Sequence, residues 1–169
     1  MVIAIPGYFG LFSKEYVVDY AANLEVLLKR AVDYAQQRQE PVSVCFALSK
    51  ACNAEGIMSY KNPDQAPQNL SDWNESLNQS KHLIEDSANW QLIEALPLSE
   101  KVSLSSNFFQ QRLMIRSDGL GVFQPGSIYL CSLGVNAHEL VGQRLVIARS
   151  GRIRREAMLS DDILKYCEN

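Results

Sequence analysis

Histidine is nearly absent from this chain: His82 and His138 are the only two among 169 residues, and neither stands near a cysteine pair. The four cysteines, Cys45, Cys52, Cys131 and Cys167, are not arranged in close C-x-x-C units, so the common structural zinc patterns are excluded. No apolar run reaches the roughly 20 residues that a bilayer-spanning helix needs. No basic segment precedes the apolar start either, so no secretory signal is visible, which by itself points to the cytoplasm. No pair of carboxylates stands out, and Gly119-x-Gly121 lacks the strand-glycine-helix context of a phosphate loop. His138-Glu139 follows Cys131 closely enough to suggest a thiol nucleophile and base, but a cysteine inside a strand is better explained as a bridged or core residue. The sequence therefore predicts no enzyme, no metal and no cofactor.

What is present is a core and an uneven charge. With 47% hydrophobic residues the chain can bury a core as one domain. Its net charge of −3 is the balance of three unlike stretches. Residues 1–106 hold 8 basic and 13 acidic side chains, residues 107–156 hold 7 and 3, and the last thirteen hold 1 and 3. A basic island thus lies near the C-terminus of an otherwise acidic chain. Such an island is either a solvated face or a surface for polyanions. The even cysteine count fits two disulfides and equally four reduced thiols.

A long helical pattern runs from about Tyr8 to Arg38. Val17, Ala21, Leu24, Leu28, Ala31, Val32 and Ala35 recur at steps of three and four, drawing one apolar stripe. Lys14, Asp19, Glu25, Lys29, Asp33, Gln36 and Arg38 form the wet side. No Gly or Pro interrupts residues 13–40, and Pro41 ends the pattern by forcing the residue before it toward extended geometry. Ahead of it, residues 1–12 carry no charge and read either as a buried N-terminal strand or as the end of a longer apolar helix.

Beyond the helix, Val42 to Leu48 alternates as a first strand. A Cys45–Cys52 bridge would staple its end, contributing roughly 2–3 kcal/mol by loop closure. Residues 53–80 are polar, with Ile57, Met58, Tyr60, Leu70, Trp73 and Leu77 as anchors, and read as a functional loop or an insertion with short strands. Residues 89–96 and 102–104 are short strands, Phe108 to Ile115 is a longer one, and Asp118-Gly119 and Pro125-Gly126 are turns before the strand Ser127–Cys131.

Arg144–Arg149, Ser150-Gly151 and Arg152–Ala157 form a hairpin. A two-residue turn would mix arginines and aliphatics on both faces. A three-residue turn with Gly151 left-handed pairs Ala148 with Arg152. Leu145, Ile147, Ile153 and Ala157 then share one face, while Arg144, Arg152, Arg154 and Glu156 share the other with Val146 and Ala148. That register buries the aliphatics, and it puts Arg155 at the rim of the apolar face, its stem along the core.

In order along the chain, Ile3-Ala4-Ile5-Pro6 before the helix, Leu27-Leu28-Lys29-Arg30-Ala31 through Ala35 to Pro41-Val42-Ser43-Val44-Cys45, Asp118-Gly119, Gly126-Ser127-Ile128-Tyr129-Leu130-Cys131 and Gly151-Arg152-Ile153-Arg154 resemble the GspH/FimT-like minor pilins and pseudopilins. The last group matches the Gly-Arg-x-Arg motif of the FimT branch. The resemblance implies an α+β pilin fold, a long N-terminal α-helix packed against antiparallel β-sheets. It implies residues 1–13 as the remnant of the hydrophobic helix, 14–40 as its amphipathic half, and 41–169 as the β-rich part of the same domain.

The same resemblance implies an inner-membrane anchor through a helix missing from this chain, a periplasmic domain and a pilus, with other major and minor pilins as partners. In that oxidising setting it implies disulfides Cys45–Cys52 and Cys131–Cys167. For function it implies a minor type IV pilin binding double-stranded DNA without sequence preference during natural transformation, through Gly151, Arg152, Arg154, Arg155, Arg149 and Arg144. Arg152 and Arg154, two apart on a strand, would project to one side about 7 Å from each other, near the spacing of successive phosphates. The alternative is a GspH-like pseudopilin of a type II secretion system, a structural tip component that does not touch DNA.

Overall fold

Thirty-two residues, Gly7–Arg38, form one α-helix, α1, about 48 Å long at roughly 1.5 Å per residue. Gln39 turns left-handed at φ 55° and ends it, one residue before Glu40 and Pro41. In this computed structural model the described residues are 7–46, 56–60, 90–97, 102–108, 111–116, 121–122, 124–132 and 141–167. The strands are β1 Val42–Cys45, β2 Gly56–Tyr60, β3 Trp90–Glu94, β4 Val102–Ser106, β5 Arg112–Ile115, β6 Gly126–Ser132, β7 Gly142–Ile147 and β8 Ile153–Ala157. A short helix, α2, covers Ser160–Cys167.

Among the described residues the strands form two antiparallel four-stranded sheets, ordered β3-β2-β1-β5 and β4-β6-β7-β8. α1 packs on β1 and β5 of the first and on β4, β6, β7 and β8 of the second. The expected stripe is what it buries: Val17, Ala21, Leu24, Leu28, Ala31 and Ala35 are inside, joined by Tyr20 and Leu27, while Val32 is half-buried. Against them lie Val42, Val44, Leu113 and Ile115 of the first sheet and Ile128, Leu130, Leu145 and Ile147 of the second. Each such side chain contributes about 1.5–3 kcal/mol when fully withdrawn from water. The helix is therefore the shared wall of one core, which is the pilin arrangement of an α+β fold.

Several element boundaries differ from the expectation. The strand expected over Phe108–Ile115 begins only at Arg112, because Gln111 is left-handed (φ 55°) and its amide bonds the Phe108 carbonyl at 3.1 Å, closing a turn. β1 ends at Cys45, with Phe46 in a bend and residues 47–50 outside the described set. β2 and α2 were not anticipated as distinct elements. Ser160-Asp161-Asp162 ahead of Ile163 and Lys165 is a helix-start signal, with acidic residues in the first turn and a base in the last.

Candidate functional site

The β7–β8 hairpin has the three-residue register. Ile147 faces Ile153, Val146 faces Arg154 and Arg144 faces Glu156. The Ala148 amide bonds the Arg152 carbonyl, and the Gly151 amide bonds the Ala148 carbonyl, both at 2.9 Å. Gly151 sits at φ 78°, a left-handed position that a side chain would strain. The tip is held from below as well. The Val122 amide bonds the Arg149 carbonyl at 3.0 Å, and Gly121, at φ 149°, comes so near that a Cβ there would lie 2.1 Å from that oxygen. Ile115 and Val122 in turn form an isolated bridge, which ties the edge of the first sheet to the hairpin tip of the second.

Alternation then sorts the arginines. Leu145 and Ile147 turn inward to α1, so Arg144, Val146, Arg152, Arg154 and Glu156 turn outward. Arg152 and Arg154 are exposed, and Arg154 pairs with Glu156 on the same strand at 2.5 Å. An exposed pair of this kind contributes at most about 1 kcal/mol. Arg144 is half-buried, its Nε donating to Ser127 Oγ at 3.1 Å and its guanidinium 5.8 Å from the Tyr129 ring centre. Arg149 is exposed at the tip.

Arg155 is the one expected site residue on the other face. It donates to the Val18 carbonyl of α1 at 3.4 Å and lies 3.9 Å from Glu25, which also holds Lys29 at 2.7 Å. Arg116 was not among the expected residues. Its amide bonds the Gly121 carbonyl at 3.0 Å, and the next residue, Val122, bonds the Arg149 carbonyl, so the backbone of this exposed arginine is tied to that of the hairpin tip. Nothing in the local sequence of Arg116 marks this, since the contact is made through a glycine that pairs across sheets.

α2 closes the remaining half of the outer face. Cys131 of β6 is bonded to Cys167, 36 residues away, with Cα atoms 5.6 Å apart. Tyr166 stacks on Tyr129, centroids 3.8 Å apart and planes within 9°. Burial, then its bond with Tyr166, pushes the Tyr129 phenol above the usual tyrosine value. The bond with Tyr129, then one with Lys165, draws Tyr166 below it. Cys45 is also disulfide-bonded, and Cys52, the partner expected for it, lies outside the described residues.

The profile for the type II transport protein GspH matches residues 20–151, most of α1 through the hairpin turn. The chain belongs to the GspH family. Comparison with curated proteins and with solved structures gave no match. GspH proteins are membrane-anchored periplasmic pseudopilins, structural and non-enzymatic, that assemble with other pilins or pseudopilins into a pilus-like structure, and this chain accordingly has a minor pilin or pseudopilin role. Among the described residues of this GspH-family chain, no helix is long and apolar enough to cross a membrane, and no three His, Cys, Asp or Glu side chains gather as a metal site. His138 and Glu139 lie outside the described residues, and Cys131 is a bridged cysteine.

On the far side of the first sheet a second cation is handled differently. Arg112 is buried, donates from Nε to Ser43 Oγ at 2.8 Å, and lies 4.9 Å from the Trp90 ring centre. Ser43 Oγ in turn lies 3.7 Å from the bridged Cys45 sulfur, to which only the hydroxyl can donate. This guanidinium serves the packing of β1, β3 and β5 and is no part of the outer arginine face.

Proposed function

We propose that this chain is a minor type IV pilin of the FimT branch whose outer arginine face binds double-stranded DNA during natural transformation. The observation that carries the reading is the shared orientation of Arg144, Arg152 and Arg154, with Arg149 at the adjoining tip. Guanidinium groups stay charged at any working pH and present planar forks of donors that suit phosphate oxygens. Among the described residues the outer arginines have no helix beside them that could enter a groove, so contact is with the sugar-phosphate backbone and sequence-independent. Arg155 is engaged with α1 and is left out of the contact set. Anchoring in the inner membrane, a periplasmic domain and incorporation among major and minor pilins complete the reading.

Titrating the chain with short duplexes at two salt concentrations, while following hairpin amide signals, tests it. Three phosphate contacts predict a log–log salt slope near −2.7, which is roughly a 40-fold loss between 50 and 200 mM salt. Hairpin signals that do not move at low salt would overturn it. The second reading, a type II secretion pseudopilin that binds only its filament neighbours, is favoured by the Arg154–Glu156 pair, which neutralises one of the outward cations.

A further inference from the structure

The outer face of the second sheet continues past Arg144. Tyr129, Arg144 and Glu156 stand in one cross-strand row, and Ser105 of the edge strand β4 extends it on the other side. Between β4 and α2 runs a groove of about 270 Å³, lined by Ser103, Ser105, Ser106, Asn107 and the rings of Tyr129 and Tyr166. Ser103 and Ser105 are opposite Cys131 and Tyr129, so both hydroxyls belong to the outer face. Two other groups brace its end: Ser106 Oγ donates to Gln111 Oε1, and Asn107 Oδ1 accepts from the Ser127 amide. Lys165 Nζ is 5.0 Å from the Tyr166 ring centre.

This combination is a small aromatic-walled slot, edged with hydroxyls and flanked by Arg144 and Lys165. It is too narrow for a duplex but suited to one flat ring and its sugar. Strands lie about 4.8 Å apart and residues about 3.4 Å apart along them, so the backbone of Tyr129, two strands over and two residues along, is some 12 Å from that of Arg154. That is about two phosphate steps of one extended strand, with Arg144 between. Resting on the reading of the arginine face as a phosphate surface, we propose that the groove is a subsite for an unpaired nucleotide. The base would stack against Tyr166, displacing the exposed Lys165 ammonium toward a phosphate, and its polar edge would meet Ser103 and Ser105. The face then prefers DNA carrying a single-stranded stretch over a blunt duplex. A neutral glycan, the other ligand that stacks on rings, makes no use of the adjoining arginines.

The test is fluorescence anisotropy on the chain with its disulfides intact, using a blunt duplex and the same duplex with a single-stranded overhang. Base stacking on aromatic side chains predicts about fivefold or more tighter binding of the overhang probe. That advantage disappears in Tyr166→Ala and in Ser105→Phe, the latter filling the groove from β4 while leaving the α2 sequence unchanged. Equal affinity for the two probes in the unmodified chain overturns the subsite, and so does an advantage that survives both substitutions or a competing neutral oligosaccharide that shifts β4 amides. The double variant Arg152→Gln with Arg154→Gln separates the two levels. If it leaves both probes unaffected, the phosphate surface itself fails; if it weakens both while no overhang advantage exists, only the subsite fails.

Discussion

Arg154 and Arg155 are neighbours on β8 and end on opposite sides of the sheet. Arg154 stands in water beside Glu156, while Arg155 crosses to the Val18 carbonyl and Glu25 of α1. The two-residue period of a strand makes this separation unavoidable once Leu145 and Ile147 are committed to the core. It divides the basic motif into a part that can meet a ligand and a part that ties the hairpin to the helix.

Replacing Arg152 and Arg154 together by Gln is expected to lower duplex affinity and to flatten the salt slope by about two, since two counterion-releasing contacts are lost. Thermal unfolding should be unchanged, because both side chains are exposed. Mobility-shift titrations at two salt concentrations check both parts.

Arg155→Gln is expected to behave in the opposite way. Duplex affinity should stay within about twofold, and stability should fall by less than about 1 kcal/mol, as its partners are only partly shielded from water. Urea unfolding measured beside the DNA titration distinguishes this from a ligand contact.

Glu156→Gln removes the one carboxylate in the row with Arg144 and the ion-pair partner of Arg154. Freed from that competition, the face should bind duplex about two- to threefold more tightly, equivalent to roughly 0.5 kcal/mol. Weaker binding would show that Glu156 orients Arg154 for the ligand.

The Cys131–Cys167 bond closes a loop of 36 residues in sequence separation, so Cys131→Ser with Cys167→Ser should lower stability by about 2–4 kcal/mol. Release of α2 would also unstack Tyr166 from Tyr129. A drop in urea midpoint together with a changed near-ultraviolet tyrosine signal is the expected pair of observations.

At the hairpin tip, Gly121→Ala should cost more than Gly151→Ala. The first drives a methyl group to 2.1 Å from the Arg149 carbonyl, whereas the second has nothing nearer than 3.5 Å and adds mainly left-handed strain of about 1–2 kcal/mol. Comparing the two melting temperatures decides the order.

Local pattern was enough for much of this. The spacing of Val17 through Ala35 located the buried side of α1, and Gly151 between alternating strands set the Ala148–Arg152 register, because both depend on periodicities the chain carries within a few residues. Arg112 shows the limit. It opens a short strand and looks like any surface arginine, yet it is buried against Ser43 and Trp90, which are distant in sequence. α2 was missed although Ser160-Asp161-Asp162 announces a helix start, since a helix of only 8 residues is too short to show a periodic apolar stripe.

By itself, then, the sequence carried the family resemblance, and its chain-local spacing determined the long helix and the face each hairpin residue takes. The Cys131–Cys167 bond was expected from the family resemblance and is present, but only the tertiary structure decided that Arg155 belongs to α1, that the Arg116–Val122 backbone ties to the hairpin tip, and that Tyr166 stacks over Tyr129. These are contacts between segments far apart in the chain, and their partners are chosen by the packing of the two sheets on a common helix.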